Sequence, residues 1–171
     1  MRARPPLAPR CEPLTAAHIP RLADLFERAV RQLGPEHYSP AQVEQWALGA
    51  HHPGFADQLQ THYGWVLAQG DALLGFITLS PNGHLGLLYV APEWGRQGVA
   101  SLLIHRLIAE ARALGLTRID TEASLLSYPL FLRHGFVLDG LEQVSRGGVG
   151  FTRHRLHLSL DDAPCQADGS H

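Results

Sequence analysis

The stretch from Leu85 to Leu103 limits most what this chain can fold into. It begins as a short apolar run ending in Tyr89 and Val90, which suits a strand covered on both faces. Pro92 stops that strand. Gly95 and Gly98 then permit a tight turn and let main chain come close to a ligand. From Val99 the apolar residues take helical spacing. Ser101, His105 and Arg112 fall on one polar stripe, with Arg106 and Glu110 beside it, and the rest is expected to face inward. A helix that opens on a glycine turn offers free N–H groups at the positive end of its dipole, as a phosphate requires. An ordinary strand-to-helix turn has the same spacing, so the surrounding elements must decide between the two.

Those elements can be read in order. Arg10 to Leu14 forms a first strand, and Thr15 precedes a helix to Leu33 whose apolar residues, Ile19, Leu22, Ala23, Phe26, Ala29, Val30 and Leu33, recur at three and four. Gly34-Pro35 ends it. Ser39 caps a second helix with Pro40 at its first position, running to about Gly49. His51 to Gly54 reads as a loop and Phe55 to His62 as a short helical piece. Tyr63–Ala68 and Ala72–Leu79 flank a hairpin turn, and Pro81-Asn82-Gly83 turns into a central strand, His84–Val90. After the long helix, Gly115 is a left-handed cap. Thr117–Ala123 is a strand, Leu125–His134 a short helix, and Phe136–Val144 with Val149–Leu160 a last hairpin. The order β-α-α-β-β-β-α-β-α-β-β specifies a mixed α/β fold with a mostly antiparallel sheet of six or seven strands flanked by helices. The helix after the glycine turn makes the strands on either side of it parallel neighbours. A dinucleotide-binding fold is argued against, because three antiparallel strands precede the glycine turn.

A length of 171 residues predicts one domain, placed at 10–160, with flexible segments at 1–9 and 161–171. The formal charge of −2 argues against nucleic acid or an anionic membrane as partner. No apolar run is long enough to span a bilayer, and no apolar segment of a leader follows the Arg- and Pro-rich start. Cys11 and Cys165 lie near opposite ends, and a reduced, cytoplasmic protein is expected. All 14 basic residues are Arg, which excludes Schiff-base chemistry and a phosphate-binding lysine. The 11 His residues show no metal-ligand spacing, so no metal is expected. His154 and His157 should point to opposite faces of a strand.

Two blocks then resemble the GNAT (Gcn5-related N-acetyltransferase) superfamily. Leu88-Tyr89-Val90-Ala91-Pro92-Glu93-Trp94-Gly95-Arg96-Gln97-Gly98-Val99-Ala100 is similar to its acetyl-CoA motif. Ala123 to Phe136 is similar to its later block, in which an Asn precedes a Phe-Tyr pair and a Gly-Phe. His37–Ala47 and Arg146-Gly147-Gly148-Val149 further resemble a YafP-like branch. The resemblance covers about residues 10–160. It implies acetyl transfer from acetyl-CoA to an amine, with a small molecule as the acceptor and a direct attack on the thioester. It also implies that the backbone of Leu88, Tyr89 and Val90 pairs with the pantetheine arm. Gly95, Arg96, Gln97, Gly98, Val99, Ala100 and Ser101 would cradle the pyrophosphate. The Val90 N–H would stabilise the oxyanion.

Three positions depart from the pattern. Gly95 stands where Arg or Gln is usual, Ser124 replaces the motif Asn, and Phe131 replaces the Tyr that often protonates the leaving thiolate. Phe cannot donate a proton. Tyr128, one helical turn earlier, and water are the two alternatives. An amine must lose a proton before it attacks, and His84 or Glu122 could accept it. His37, Tyr38, Trp46 and Trp65 are candidates for the acceptor pocket, against plain core packing. A non-catalytic acyl-CoA-binding domain and a protein amine acetyltransferase are the competing readings. The last hairpin could pair across a homodimer.

Overall fold

The computed structural model describes residues 8–160. The expected tail from 161 onward, residues 1–7 of the other and Cys165 lie outside the described residues. Seven strands form one sheet: β1 (Arg10–Pro13), β2 (Tyr63–Gln69), β3 (Ala72–Leu79), β4 (His84–Val90), β5 (Arg118–Ala123), β6 (Val137–Arg146) and β7 (Val149–Ser159). Their spatial order is β1-β2-β3-β4-β5-β7-β6, and β4–β5 is the parallel pair.

On one face lie α1 (Ile19–Leu33), α2 (Pro40–Leu48) and α3 (Pro53–Thr61). Leu22, Leu25, Phe26 and Val30 of α1 pack with Val43, Phe55 and Leu59 onto Val66 and Phe76 of the sheet. Ser39 caps α2 as its sequence suggested, accepting from Gln42 N at 3.2 Å. On the other face α4 (Val99–Ala113) inserts Val99, Leu103, Ile104, Leu107 and Ala111 between the strands, and α5 (Tyr128–Arg133) adds Phe131. Gly75 admits α4 at close range. A Cβ there would lie 2.8 Å from Tyr89 O and 3.0 Å from Val99 Cγ1.

The structure departs from the sequence reading in three places. The third helix is a full element starting at Pro53, with His52 capping it by accepting from Gly54 N at 3.0 Å, so the expected His51–Gly54 loop is largely helical. In α4 Leu102 faces outward, 49% exposed. The third departure matters for function. β4 is not covered on both faces: within it only Leu85 is buried, and Leu87 to Val90 are half-buried. The reason is the sheet's geometry. Pairing of β4 with β5 stops at Leu85–Thr121, while pairing with β3 continues to Val90. Ile77 faces Leu88 but Leu79 faces Leu85, so β4 spends three residues where β3 spends two. That bulge, held by Leu87 N donating to Thr78 Oγ1 at 3.0 Å, swings β4 away from β5. Among the described residues no helix is long and apolar enough to cross a membrane.

Candidate active site

Where β4 and β5 diverge, the sheet opens into a cleft of about 960 Å³. The backbone at its edge follows from the ladder. Ala91 N donates to Leu74 O at 2.8 Å. Antiparallel pairing alternates, so the N–H and C=O of Val90 and Leu88 are directed away from β3, into the opening. At the far end of β4, Gly98 takes φ +81° and starts α4, and Arg96, without glycine's freedom, is held at φ +60°. A Cβ on Gly98 would meet no protein atom within 4 Å, so its outer side is open space.

The cofactor candidates therefore divide. Leu88, Tyr89, Val90, Ala100, Ser124 and Phe131 line the cleft, while Gly95, Arg96, Gln97, Gly98, Val99 and Ser101 form the turn and first helical residues beyond it. The Tyr89 side chain belongs to the other face. Its hydroxyl accepts from Trp46 Nε1 at 3.0 Å, and burial pushes its pKa up to about 12, which keeps it a neutral phenol. Ser124 is occupied locally. Its Oγ accepts from Leu126 N at 3.1 Å and Ser127 N at 3.3 Å, while Ser127 Oγ accepts from Ser124 N at 3.2 Å. This reciprocal cap turns the chain from β5 into α5. Phe131 is 2% exposed and packs edge-on against Phe136, with ring centroids 5.1 Å apart.

The two base candidates are brought together. His84 begins β4 opposite Asp120, which sets Glu122 beside it on the same face of β5. His84 Nε2 and Glu122 Oε1 are 2.8 Å apart, and both residues line the cleft. Their side chains are 38% and 27% exposed, so solvent screens the pair only in part. The hydrogen bond that His84 donates to Glu122 raises the His84 pKa against the opposing effect of burial. The same bond lowers that of Glu122, helped by Arg153 and Arg155.

Tyr128 is set apart from this pair. It does not line the cleft; its ring lies flat on His154 at 4.0 Å and 3°. Tyr38 stands in the cleft instead. Its hydroxyl accepts from Leu125 N at 2.9 Å, next to Ser124. Of the acceptor-pocket candidates, Tyr38 and Trp46 line the cleft, their rings edge-on at 5.2 Å. Trp65 is core on the opposite face of the sheet and His37 is exposed. Phe26, Phe55, Gln58, Arg146 and Arg153, none of them a sequence candidate, complete the lining. Phe26 reads as helix core by its spacing, and Phe55 only as the start of a short helical piece. Gln58 carried no signal, although Gly86 did mark a close approach: a Cβ there would fall 2.0 Å from Gln58 Nε2. The other end is roofed. Gln42 Nε2 donates to Gly150 O at 3.0 Å, and Gly147 passes so close to Gln45 that a Cβ would lie 2.2 Å from Oε1. Among the described residues no group of three His, Cys, Asp or Glu could hold a metal ion.

Residues 35–158 match the family model of an acetyltransferase (GNAT) domain. YafP, an uncharacterized N-acetyltransferase of Escherichia coli (strain K12), is 31% identical over 132 residues, covering 77% of this chain and 83% of its own. A GCN5-related N-acetyltransferase structure from Rhodopseudomonas palustris superposes with a TM-score of 0.85 at 26% identity, covering 93% of this chain and 100% of its own. The PaiA N-acetyltransferase of Thermoplasma acidophilum, solved in complex with coenzyme A, shares the fold at a TM-score of 0.69 and 12% identity, covering 90% and 99%.

Proposed function

The chain belongs to the GNAT acetyltransferase family, and from that premise we propose that it moves an acetyl group from acetyl-CoA to a small-molecule amine by direct attack on the thioester. The observation that carries this reading is the unpaired edge of β4 facing the His84–Glu122 pair across one cleft. The cofactor's chemistry fits that edge. Pantetheine carries amides that can continue the ladder of Leu88 and Val90, and the diphosphate finds open space outside Gly98 and N–H groups from Arg96 to Ser101. When bound, acetyl-CoA supplies an activated acyl group on a thiol leaving group.

The chain's own groups do the rest. His84 in its neutral form accepts the proton the amine sheds, and Glu122 holds the imidazolium that results. The Val90 N–H donates to the oxygen that gains charge when the carbonyl becomes tetrahedral. Collapse breaks the C–S bond and the thiolate takes a proton. Tyr38, with its hydroxyl oriented by Leu125 N beside Ser124, is the phenol suited to give it, and Tyr128 is occupied by His154. The hairpin roof tied to α2 favours a small acceptor over a lysine on a folded protein. The exposed edge of β6, where Leu141 is 60% exposed, is the surface through which a homodimer would form, and a reducing cytoplasm is the proposed location. The test is release of free thiol from acetyl-CoA with a panel of amines. Amine-dependent release supports transfer, whereas binding of acetyl-CoA without release would support an inert acyl-CoA binder, the reading that Phe131 in place of Tyr favours.

A further inference from the structure

The acceptor end of the cleft has a definite character. Its walls are aromatic: Phe26, Tyr38, Trp46, Phe55 and Tyr89. Phe26 packs on Tyr89 with centroids 4.3 Å apart and on Phe55 at 5.3 Å. Two arginines line the cleft, and they differ. Arg153 is committed to Glu142, with Nε 3.1 Å from Oε1. Arg146 has no carboxylate within ion-pair distance among the described residues, which leaves it as the arginine of the two without an ionic partner. Arg146 and the aromatic residues line the same cleft. Arg146 ends β6, where Gly147 packs closely against Gln45 and Gln42 ties β7 to α2 at Gly150. Among the described residues the one carboxylate lining the cleft, Glu122, is engaged by His84.

From these observations we infer that the acceptor is an amine with a flat apolar body and an anionic group, a carboxylate or phosphate, that docks on Arg146. The inference rests on the acetyl-transfer reading for the identity of the amine end, and on the cleft alone for the anion. An arginine fork matches either anion in bidentate fashion. The anion is taken to belong to a free small molecule, in line with the small-molecule acceptor proposed above.

Product analogues test this without turnover. N-acetylphenylalanine, N-acetylphenethylamine and the para-carboxy analogue of the latter are titrated by calorimetry into the protein with coenzyme A. At least one carboxylate-bearing compound should bind about 10- to 100-fold more tightly than the neutral one. In Arg146→Gln that ratio should collapse towards one, and Arg146→Lys should recover part of it because a point charge lacks the fork. Equal binding of all three compounds, or a preference that survives Arg146→Gln, overturns the inference. Thiol release is measured separately with the matching amines. Transfer without acid preference removes the anion subsite alone. Acid preference without transfer removes the acetyl-transfer reading and leaves the subsite standing.

Discussion

Replacing Glu122 by Gln keeps the size of the side chain and removes its charge, which separates the two members of the pair. The contact is 2.8 Å and part-exposed, so its worth lies nearer that of an exposed ion pair than of a buried one, about 1 kcal/mol. Glu122 titrates below its ordinary 4.5, so its share of stability is present above 4.5 and disappears as pH falls through the lowered value. His84 titrates above its ordinary 6.5, so its share is present below 6.5 and disappears as pH rises through the raised value. The stability lost in Glu122→Gln is therefore greatest between pH 4.5 and 6.5 and fades in alkali. Urea unfolding at pH 5.5 and pH 9 measures both. Catalysis runs the other way, because only neutral His84 can take a proton. With the carboxylate gone, burial and Arg153 pull the His84 pKa down. The acid limb of the kcat/KM profile then moves to lower pH, and the plateau falls about tenfold or more as the imidazolium loses its partner. His84→Gln should abolish that limb and cost about 10²- to 10⁴-fold. A His84→Gln enzyme that keeps the limb and stays within about threefold of the parent rate, well below a base's usual contribution, would refute the assignment of the base.

Gly98→Glu should weaken acetyl-CoA binding by about 100-fold or more, since φ +81° strains any side chain and the carboxylate enters the space proposed for the diphosphate; unchanged affinity by calorimetry would contradict that placement. Its fold should persist, because the new Cβ meets no neighbour. Tyr38→Phe should lower kcat about tenfold with KM for acetyl-CoA held, the loss being modest because a thiol leaves readily; an unchanged kcat would assign that proton to water. Phe131→Ala should cost about 3–5 kcal/mol in chemical denaturation, the cost of emptying a fully buried ring site between α5 and the sheet.

Local sequence set the order of the strands, the helices other than the full third one, the parallel junction and the turn that starts α4. Local chemistry sets each of these. Ser39 and Pro40 open α2, Gly98 and Gly115 take the left-handed region on either side of α4, and apolar spacing separates strand from helix. The sequence also offered His84, at the start of β4, and Glu122, near the end of β5, as separate candidates for the base. Only the tertiary structure decided that the two share a hydrogen bond, since register between strands 38 positions apart depends on packing that no local pattern records. The same holds for the opening of β4. Its residues are as apolar as those of a covered strand, and a one-residue bulge against β3 turns them into the lining of a cleft. Tyr38, Phe55 and Arg146 come from the loop before α2, from α3 and from β6, and they line one cleft only through tertiary packing. Tyr128, well spaced on paper, was claimed by the ring of His154. Periodicity reports which side of an element is buried; which distant groups share that buried space is settled only when the layers close.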